Sequence, residues 1–290
     1  MTARPAGHRL RLALALTAAL AAAGCGSGGG AESEPSTGTT GSADRPQLPQ
    51  LPQLPAGSEA IAIQYTTGGG ITGPCCSLWD VPEITAYGDG RVVFVEGTVG
   101  QVPGMRQATV PRADLIDLLG QAGNEGLLEA GGPDTGPLCC DLAYTRVILA
   151  ETYEFSVMGL GFEHEGDDLS GKERQARRAV ARLRDQLRAL ANDSAEYGAY
   201  APDELAVLVF PGSGRAGAEP TPWPLVRSLA DGGIPTGNDG RCLHITNLDG
   251  TEDARAVLAA GRRSTGSSWS SAGQEWEVTV RPLLPHEHGC

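Results

Sequence analysis

The chain has 290 residues, with 35 acidic and 22 basic side chains and a formal net charge of −13 at pH 7. This acid excess argues against a nucleic-acid-binding protein, because affinity for phosphates depends on Lys and Arg. It also argues against broad contact of the folded part with anionic lipid.

The first 24 residues predict a secretory signal peptide. Arg4, Arg9 and Arg11 form a positive segment, and residues 12–23 form a continuous apolar run. A helix of this length spans about 18 Å, whereas the hydrocarbon core of a bilayer is about 30 Å thick. The run is therefore too short for a transmembrane helix and fits the apolar region of a signal peptide.

The small residues Ala22, Ala23 and Gly24 stand directly before Cys25. This order resembles the bacterial lipobox, in which the chain is cut before the cysteine and the thiol is acylated, although Ala22 stands where Leu is usual. The resemblance implies a palmitate-type modification of Cys25 and a mature lipoprotein on the extracytoplasmic face of the cell membrane. An ordinary secretory peptide with a chance cysteine is the alternative.

Residues 25–58 are rich in Pro, Gly and Ser and lack apolar periodicity, so we expect a disordered stalk. The repeat from Pro46 to Pro55 places a proline at every third residue, which favours a polyproline II helix. Its ten residues would extend for roughly 30 Å. A spacer is the favoured interpretation, and a docking site for an aromatic-lined module is the alternative.

Residues 59–193 predict a first α+β domain. The turn Gly88-Asp89-Gly90 lies between two β-rich runs and is a strong hairpin signal. The strand candidates are Ala60–Tyr65, Pro82–Tyr87, Arg91–Val95, Tyr144–Ala150 and Thr152–Val157.

Two helices are predicted in the same region. The first covers Pro111–Ala122, and the second begins at the capping-box pair Ser170 and Glu173. Their apolar faces comprise Leu115, Leu118, Leu119 and Ala122 in the first helix, and Ala176, Val180, Leu183, Leu187 and Leu190 in the second.

Residues 202–290 predict a second, smaller α/β region, possibly one unit with the first. Its strand candidates are Leu205–Phe210, Arg241–Asn247 and Gln274–Arg281, with short helices over 225–230 and 251–260. The expected fold class is therefore α+β: a mainly antiparallel sheet with two packed helices, followed by a βαβαβ-like region.

Six cysteines follow Cys25, and an even number in an exported protein predicts disulfides. We expect Cys242 to pair with Cys290, and the pair Cys75-Cys76 to cross-pair with Cys139-Cys140. A four-thiolate copper or zinc site is the alternative. It lacks the usual C-x-x-C spacing, so no metal and no cofactor are predicted.

Other patterns have an ordinary structural explanation beside a functional one. The tryptophans Trp223, Trp269 and Trp276 could line a ligand groove, but core packing is the favoured interpretation. Weak metal or calcium sites are conceivable around Phe162–Asp168, at His286-Glu287-His288 and in Asn247–Asp253, where surface loops and a helix cap explain the residues better. Ser213 lies one residue out of register for a Gly-x-Ser-x-Gly elbow.

The segment Pro82–Val92, with the sequence PEITAYGDGRV, and the ending Arg281–Pro285 resemble a family of uncharacterised actinobacterial lipoproteins. These are turn and packing motifs, so the resemblance implies a fold and a location but no activity. The two Cys-Cys pairs are not part of the family's pattern.

Together these features predict a non-catalytic binding or interaction module of the cell envelope. Its expected partners are membrane lipid, through the acylated Cys25, and an envelope protein. An envelope hydrolase and thiol-based metal or redox handling by the paired cysteines are the alternatives, so the question of an enzyme stays open with a non-enzyme favoured.

Overall fold

Two large β-sheets carry most of the chain that the structure, a computed structural model, describes. The described residues are 53–69, 81–96, 104–136, 142–161, 169–212, 219–237, 239–246, 256–258 and 267–290. The α+β class with a mainly antiparallel sheet and two helices is confirmed.

The first sheet has seven strands, each antiparallel to its neighbours. In spatial order they are β6 (Tyr153–Met158), β5 (Ala143–Leu149), β1 (Ile61–Gly69), β2 (Ile84–Tyr87), β3 (Arg91–Glu96), β4 (Gly104–Thr109) and β7 (Tyr197–Ala199).

The predicted hairpin joins β2 to β3. Ile84 lies opposite Phe94 in the ladder, and the Gly90 N–H donates to the Tyr87 carbonyl at 3.0 Å. Gly90 has φ +101°, a conformation that glycine adopts without a Cβ clash. The Asp89 carboxylate accepts from the Arg91 N–H at 2.9 Å and so closes the turn.

Helices α1 (Arg112–Asn124) and α2 (Gly171–Asp193) pack on one face of the first sheet. The predicted faces are confirmed: Leu115 and Leu119 of α1, and Val180 and Leu187 of α2, are buried with the sheet's apolar residues. The Ser170 capping box of α2 forms in both directions.

The second sheet has six strands and its own core. In spatial order they are β10 (Ile234–Gly237), β11 (Gly240–Thr246), β8 (Glu204–Pro211), β13 (Gln274–Pro282), β12 (Ser267–Ser271) and β9 (Thr221–Pro222). All neighbouring pairs are antiparallel except β12 and β9. Residues 225–230, expected as a helix, form turns instead.

Residues from Pro49 to Cys290 cluster into a single unit. Its first described residues lie against the β2–β3 turn, where the Arg91 guanidinium donates to the Ser58 carbonyl at 2.5 Å. A Cβ on Gly88 would come within 1.9 Å of the Pro55 carbonyl oxygen, so glycine permits this close approach. The division of the folded part into two regions, with a boundary between residues 193 and 202, stays a prediction.

Candidate functional site

The chain after β13 crosses the first sheet on the side away from the helices. We call residues Leu283–Cys290 the C-terminal tail. Side chains alternate between the two faces of a strand: on β3, Val92 packs with the helices, whereas Val93 packs in a separate cluster with Leu284 of the tail. The other buried members of that cluster are Tyr87, Met105 and Tyr200.

Hydrogen bonds from β8 and from Tyr200, the residue after β7, fix the beginning of the tail. The Leu283 N–H donates to the Glu204 carbonyl at 3.0 Å, and the Leu283 carbonyl accepts from the Tyr200 hydroxyl at 2.8 Å. The Glu287 carboxylate accepts from the Leu284 N–H at 2.8 Å and forms an ion pair with Arg281. Strand β8 and the Tyr200 segment therefore hold the same stretch of tail.

The tail ends in a covalent link. Cys290 forms a disulfide with Cys242 of β11, 48 residues earlier in the chain. The structure thus contains the predicted Cys242–Cys290 pair, whereas Cys75, Cys76, Cys139 and Cys140 lie outside the described residues. The cross-pairing of those four cysteines stays a prediction.

His286 lies in the middle of the tail and bonds to the first sheet through both ring nitrogens. Nδ1 is 2.9 Å from the Tyr87 hydroxyl, and Nε2 is 3.2 Å from the amide nitrogen of Gln64. An amide nitrogen only donates, so Nε2 accepts and Nδ1 carries the proton that is donated to Tyr87. The Gln64 amide also donates to the Thr85 hydroxyl at 3.1 Å. This geometry fits a neutral imidazole.

The electrostatics agree with a neutral ring. Burial lowers the pKa of His286 below its ordinary value of 6.5, and this effect outweighs the nearby Glu287 carboxylate, which raises it. Burial also raises the pKa of the Tyr87 phenol, so its hydroxyl stays protonated. We call Gln64, Thr85, Tyr87 and His286 the tail cluster.

The tail cluster can clamp two chain segments together, but its described contacts are not those of a hydrolase. A histidine that activates a side-chain nucleophile for covalent hydrolysis usually lies beside a serine, threonine or cysteine. The described partners of His286 are a phenol and an amide, whereas His244 bonds to Glu204 at 2.6 Å and His288 lies 3.7 Å from Glu59.

A second feature is an open groove of about 540 Å³ between the start of α1 and the end of α2. Three carboxylates line it: Asp114, Asp193 and Glu196. Its Ser194 hydroxyl donates to the Thr109 carbonyl at 2.6 Å and accepts from the Glu196 N–H at 3.1 Å. Both contacts are structural: Ser194 joins the end of α2 to β4, and the described hydrogen bonds of its hydroxyl include no side-chain base.

The tryptophans lie in the core of the second sheet. Trp223 and Trp269 are buried with ring centroids 5.4 Å apart at an interplanar angle of 79°, an edge-to-face contact. Trp276 is partly buried against them. Core packing is therefore what the structure shows for these residues, rather than a ligand groove.

Of the remaining sequence candidates, several fall outside the described residues: Cys25, Phe162–Asp168, Ser213 and Asn247–Asp253. The segment His286-Glu287-His288 is a conceivable weak metal site in the sequence. The structure separates their roles, because His286 faces the sheet and His288 is exposed near Glu59. Among the described residues, no three His, Cys, Asp or Glu side chains form a metal-binding group.

Sequence reasoning missed the partners of His286. Gln64 gave one signal, because it is a polar residue inside the apolar strand run Ile61–Tyr65. Its partner lies 222 residues away along the chain, and nothing in the sequence indicates that pairing.

Comparison of the chain with family models, with curated proteins and with solved structures finds no match. Within the part of the chain that the structure describes, no helix is both long enough and apolar enough to cross a membrane.

Proposed function

We propose that the protein is a membrane-anchored extracytoplasmic lipoprotein whose folded part is a non-catalytic binding module of the cell envelope. One observation carries this proposal: Cys25 directly follows a positively charged segment, a short apolar run and three small residues. A lipidated cysteine with more than one acyl chain is a stable anchor, whereas a single chain is marginal.

The segment after Cys25 supports the anchor. Residues 26–52 separate the cysteine from the first described residue, Gln53, and contain most of the proline repeat. A polyproline II segment is a semi-rigid spacer. Leu54 then packs against the core of the first sheet. This order of lipid, spacer and fold suits a domain that is presented away from the membrane.

The described hydroxyl and imidazole groups discussed above have structural contacts within the chain. The hydroxyl of Ser194 and the imidazoles of His286 and His244 each make contacts that join chain segments. The most exposed large apolar side chain of the described residues is Val226, in the turn that follows the buried Trp223. Single exposed apolar side chains are common on protein surfaces, so Val226 serves as an accessible position for a probe.

Cell fractionation with a palmitate analogue tests the anchor. We expect the wild-type chain to incorporate the analogue and to sediment with membranes, whereas C25S should do neither. Gly26→Ser is the matched control, because it changes the neighbouring residue and keeps the thiol. Equal labelling of C25S and the wild type would refute acylation at Cys25.

Photo-crosslinking in intact cells tests the binding module. A photoreactive residue replaces Val226 in one variant and the half-exposed Ile116 of α1 in another. We expect a discrete adduct from one position, reduced by excess purified C25S chain. Turnover of hydrolase substrates by the wild type that disappears in S194A would instead favour the hydrolase alternative.

A further inference from the structure

The C-terminal tail is held at its start by strand pairing, at its end by a disulfide, and in its middle by noncovalent contacts. At its start, Pro282 of β13 lies opposite Leu205 of β8 in the second sheet. At its end, Cys290 is linked to Cys242 of β11. Between them, Leu284 and His286 contact the first sheet. Noncovalent contacts alone therefore hold the middle of the tail against the first sheet.

His286 is the titratable group at the centre of this contact, and its direct partners are neutral. Tyr87 of β2 and Gln64 of β1 approach its two ring nitrogens. The carboxylate beside it in the chain, Glu287, is directed to Arg281 and to the Leu284 N–H. A protonated ring would thus be partly buried without a carboxylate in direct contact, which disfavours protonation while the tail is closed.

The other charged groups near His286 lie before β1, on β13 and on the tail itself. Glu59, before β1, raises the pKa of His286, while Arg281 of β13 and His288 of the tail lower it. Glu59 and His288 have more than half of their side-chain surface exposed, so solvent weakens their influence. Arg281 is nearly buried and disfavours a second positive charge.

We propose that His286 is an acid-sensitive latch: its protonation releases the middle of the C-terminal tail from the first sheet, uncovering Tyr87 and Tyr200, while the Cys242–Cys290 disulfide retains the end of the tail. This inference rests on the described geometry and is independent of the lipid anchor.

The direction of the pH effect follows from linkage. Burial lowers the pKa of His286 in the closed tail, so the open tail binds a proton first as the pH falls. The closed state is fully favoured above the ordinary value of 6.5 and loses stability below it. For one proton, the opening equilibrium constant rises by at most about tenfold per pH unit.

Hydrogen–deuterium exchange of the mature full chain carrying C25S tests the latch between pH 7.5 and pH 5. After correction for intrinsic exchange, we expect protection of the Leu284 and Glu287 amides to fall several-fold with acid. A peptide from the β1–β5 ladder should keep its protection. Unchanged protection of the tail over this range would overturn the proposal.

Three variants identify the titrating group. His286→Asn should remove the pH dependence of tail protection. Q64E should invert that dependence, because a carboxylate opposite Nε2 stabilises the protonated ring. His244→Gln is the matched control and should keep the wild-type dependence, since His244 pairs with Glu204. A dependence that persists in His286→Asn, or disappears in His244→Gln, would refute the assignment.

If His286→Asn fails to fold, an NMR titration of His286 in the chain without that substitution provides the test. The imidazole NMR signals of His286 in the mature C25S chain should titrate below the ordinary histidine range while the tail stays closed. Titration of His286 at or above that range would contradict the latch.

Discussion

The buried hydroxyl of Tyr65 joins α2 to the first sheet. The side chain of Tyr65 on β1 is fully buried, and its hydroxyl donates to the Val180 carbonyl in the middle of α2 at 3.0 Å. Burial raises the pKa of this phenol, so the hydroxyl stays a donor. A buried acceptor that loses its donor is destabilising.

Tyr65→Phe should therefore lower the free energy of unfolding by about 1 kcal/mol, measured by urea denaturation. Tyr197→Phe is the matched control. The Tyr197 hydroxyl bonds to Glu96 at 3.1 Å in an exposed position, so its loss should change stability little. Equal effects of the two substitutions would mean that burial of the Tyr65 hydrogen bond contributes nothing to the free energy of unfolding.

Residue-level features were predictable where the partners are close in sequence. Ser170 and Glu173 are three residues apart, and the pattern predicted the capping box that forms. Arg177 was not predicted as a buried residue. Its guanidinium donates to the carbonyls of Thr135, Met158 and Gly159, and the distance of these segments along the chain hides the contact.

At the scale of elements, the cap of α2 is a testable contribution to helix stability. The Ser170 side chain accepts from the Glu173 N–H at 3.2 Å, which satisfies one of the free donors at the helix start. Burial of its apolar face, with Val180 and Leu187, supplies the rest of the helix's stability.

Ser170→Ala should cost about 1 kcal/mol of stability, whereas Ser170→Gly should cost only a few tenths, because glycine tolerates the N-cap position. Thermal and urea unfolding of the two variants gives the comparison. A larger loss in Ser170→Gly than in Ser170→Ala would contradict the capping explanation.

The strands that sequence reasoning found are those with regular apolar patterns. Strands β1, β3, β8 and β13 contain such patterns and were predicted. Strands β4 (GMRQAT) and β12 (SSWSS) contain few apolar residues and no alternation, and they were missed. Their pairing depends on neighbours, since β4 lies against β3 and β12 against β13.

The expected helix over 225–230 shows that tertiary contacts can override local propensity. The Trp223 indole N–H donates to the Arg227 carbonyl at 2.9 Å, and the Leu229 N–H donates to the Ser271 hydroxyl at 3.0 Å. Leu229 is fully buried in the core of the second sheet. These contacts fix turns where the sequence favoured a helix.

At the scale of the whole molecule, the tail is the described segment that contacts both sheets. The disulfide closes a loop of about 50 residues, for which the loop-entropy relation gives about 4 kcal/mol of stabilisation. This figure is an upper value, because strain and residual structure reduce it.

Cys290→Ala should thus lower the free energy of unfolding by up to about 4 kcal/mol, as measured by urea denaturation without reductant. The double variant C242A/C290A controls for the buried thiol that the single variant leaves at Cys242. Wild-type stability in both variants would show that noncovalent contacts alone hold the tail.

The arrangement of the whole molecule was only partly predictable. Sequence spacing indicated that Cys290 pairs with Cys242. It did not indicate that the intervening tail lies on the first sheet, because the tail contacts Gln64 and Tyr87 about 200 residues away. The proposed location follows from the sequence of residues 1–25 alone.

The most direct test of the lipoprotein proposal is the mass of the N-terminal peptide of the chain isolated from membranes of the native host. The proposal predicts a mature chain that starts at Cys25 and carries acyl chains on that residue. A chain that retains residues 1–24, starts elsewhere, or starts at an unmodified Cys25 would contradict it.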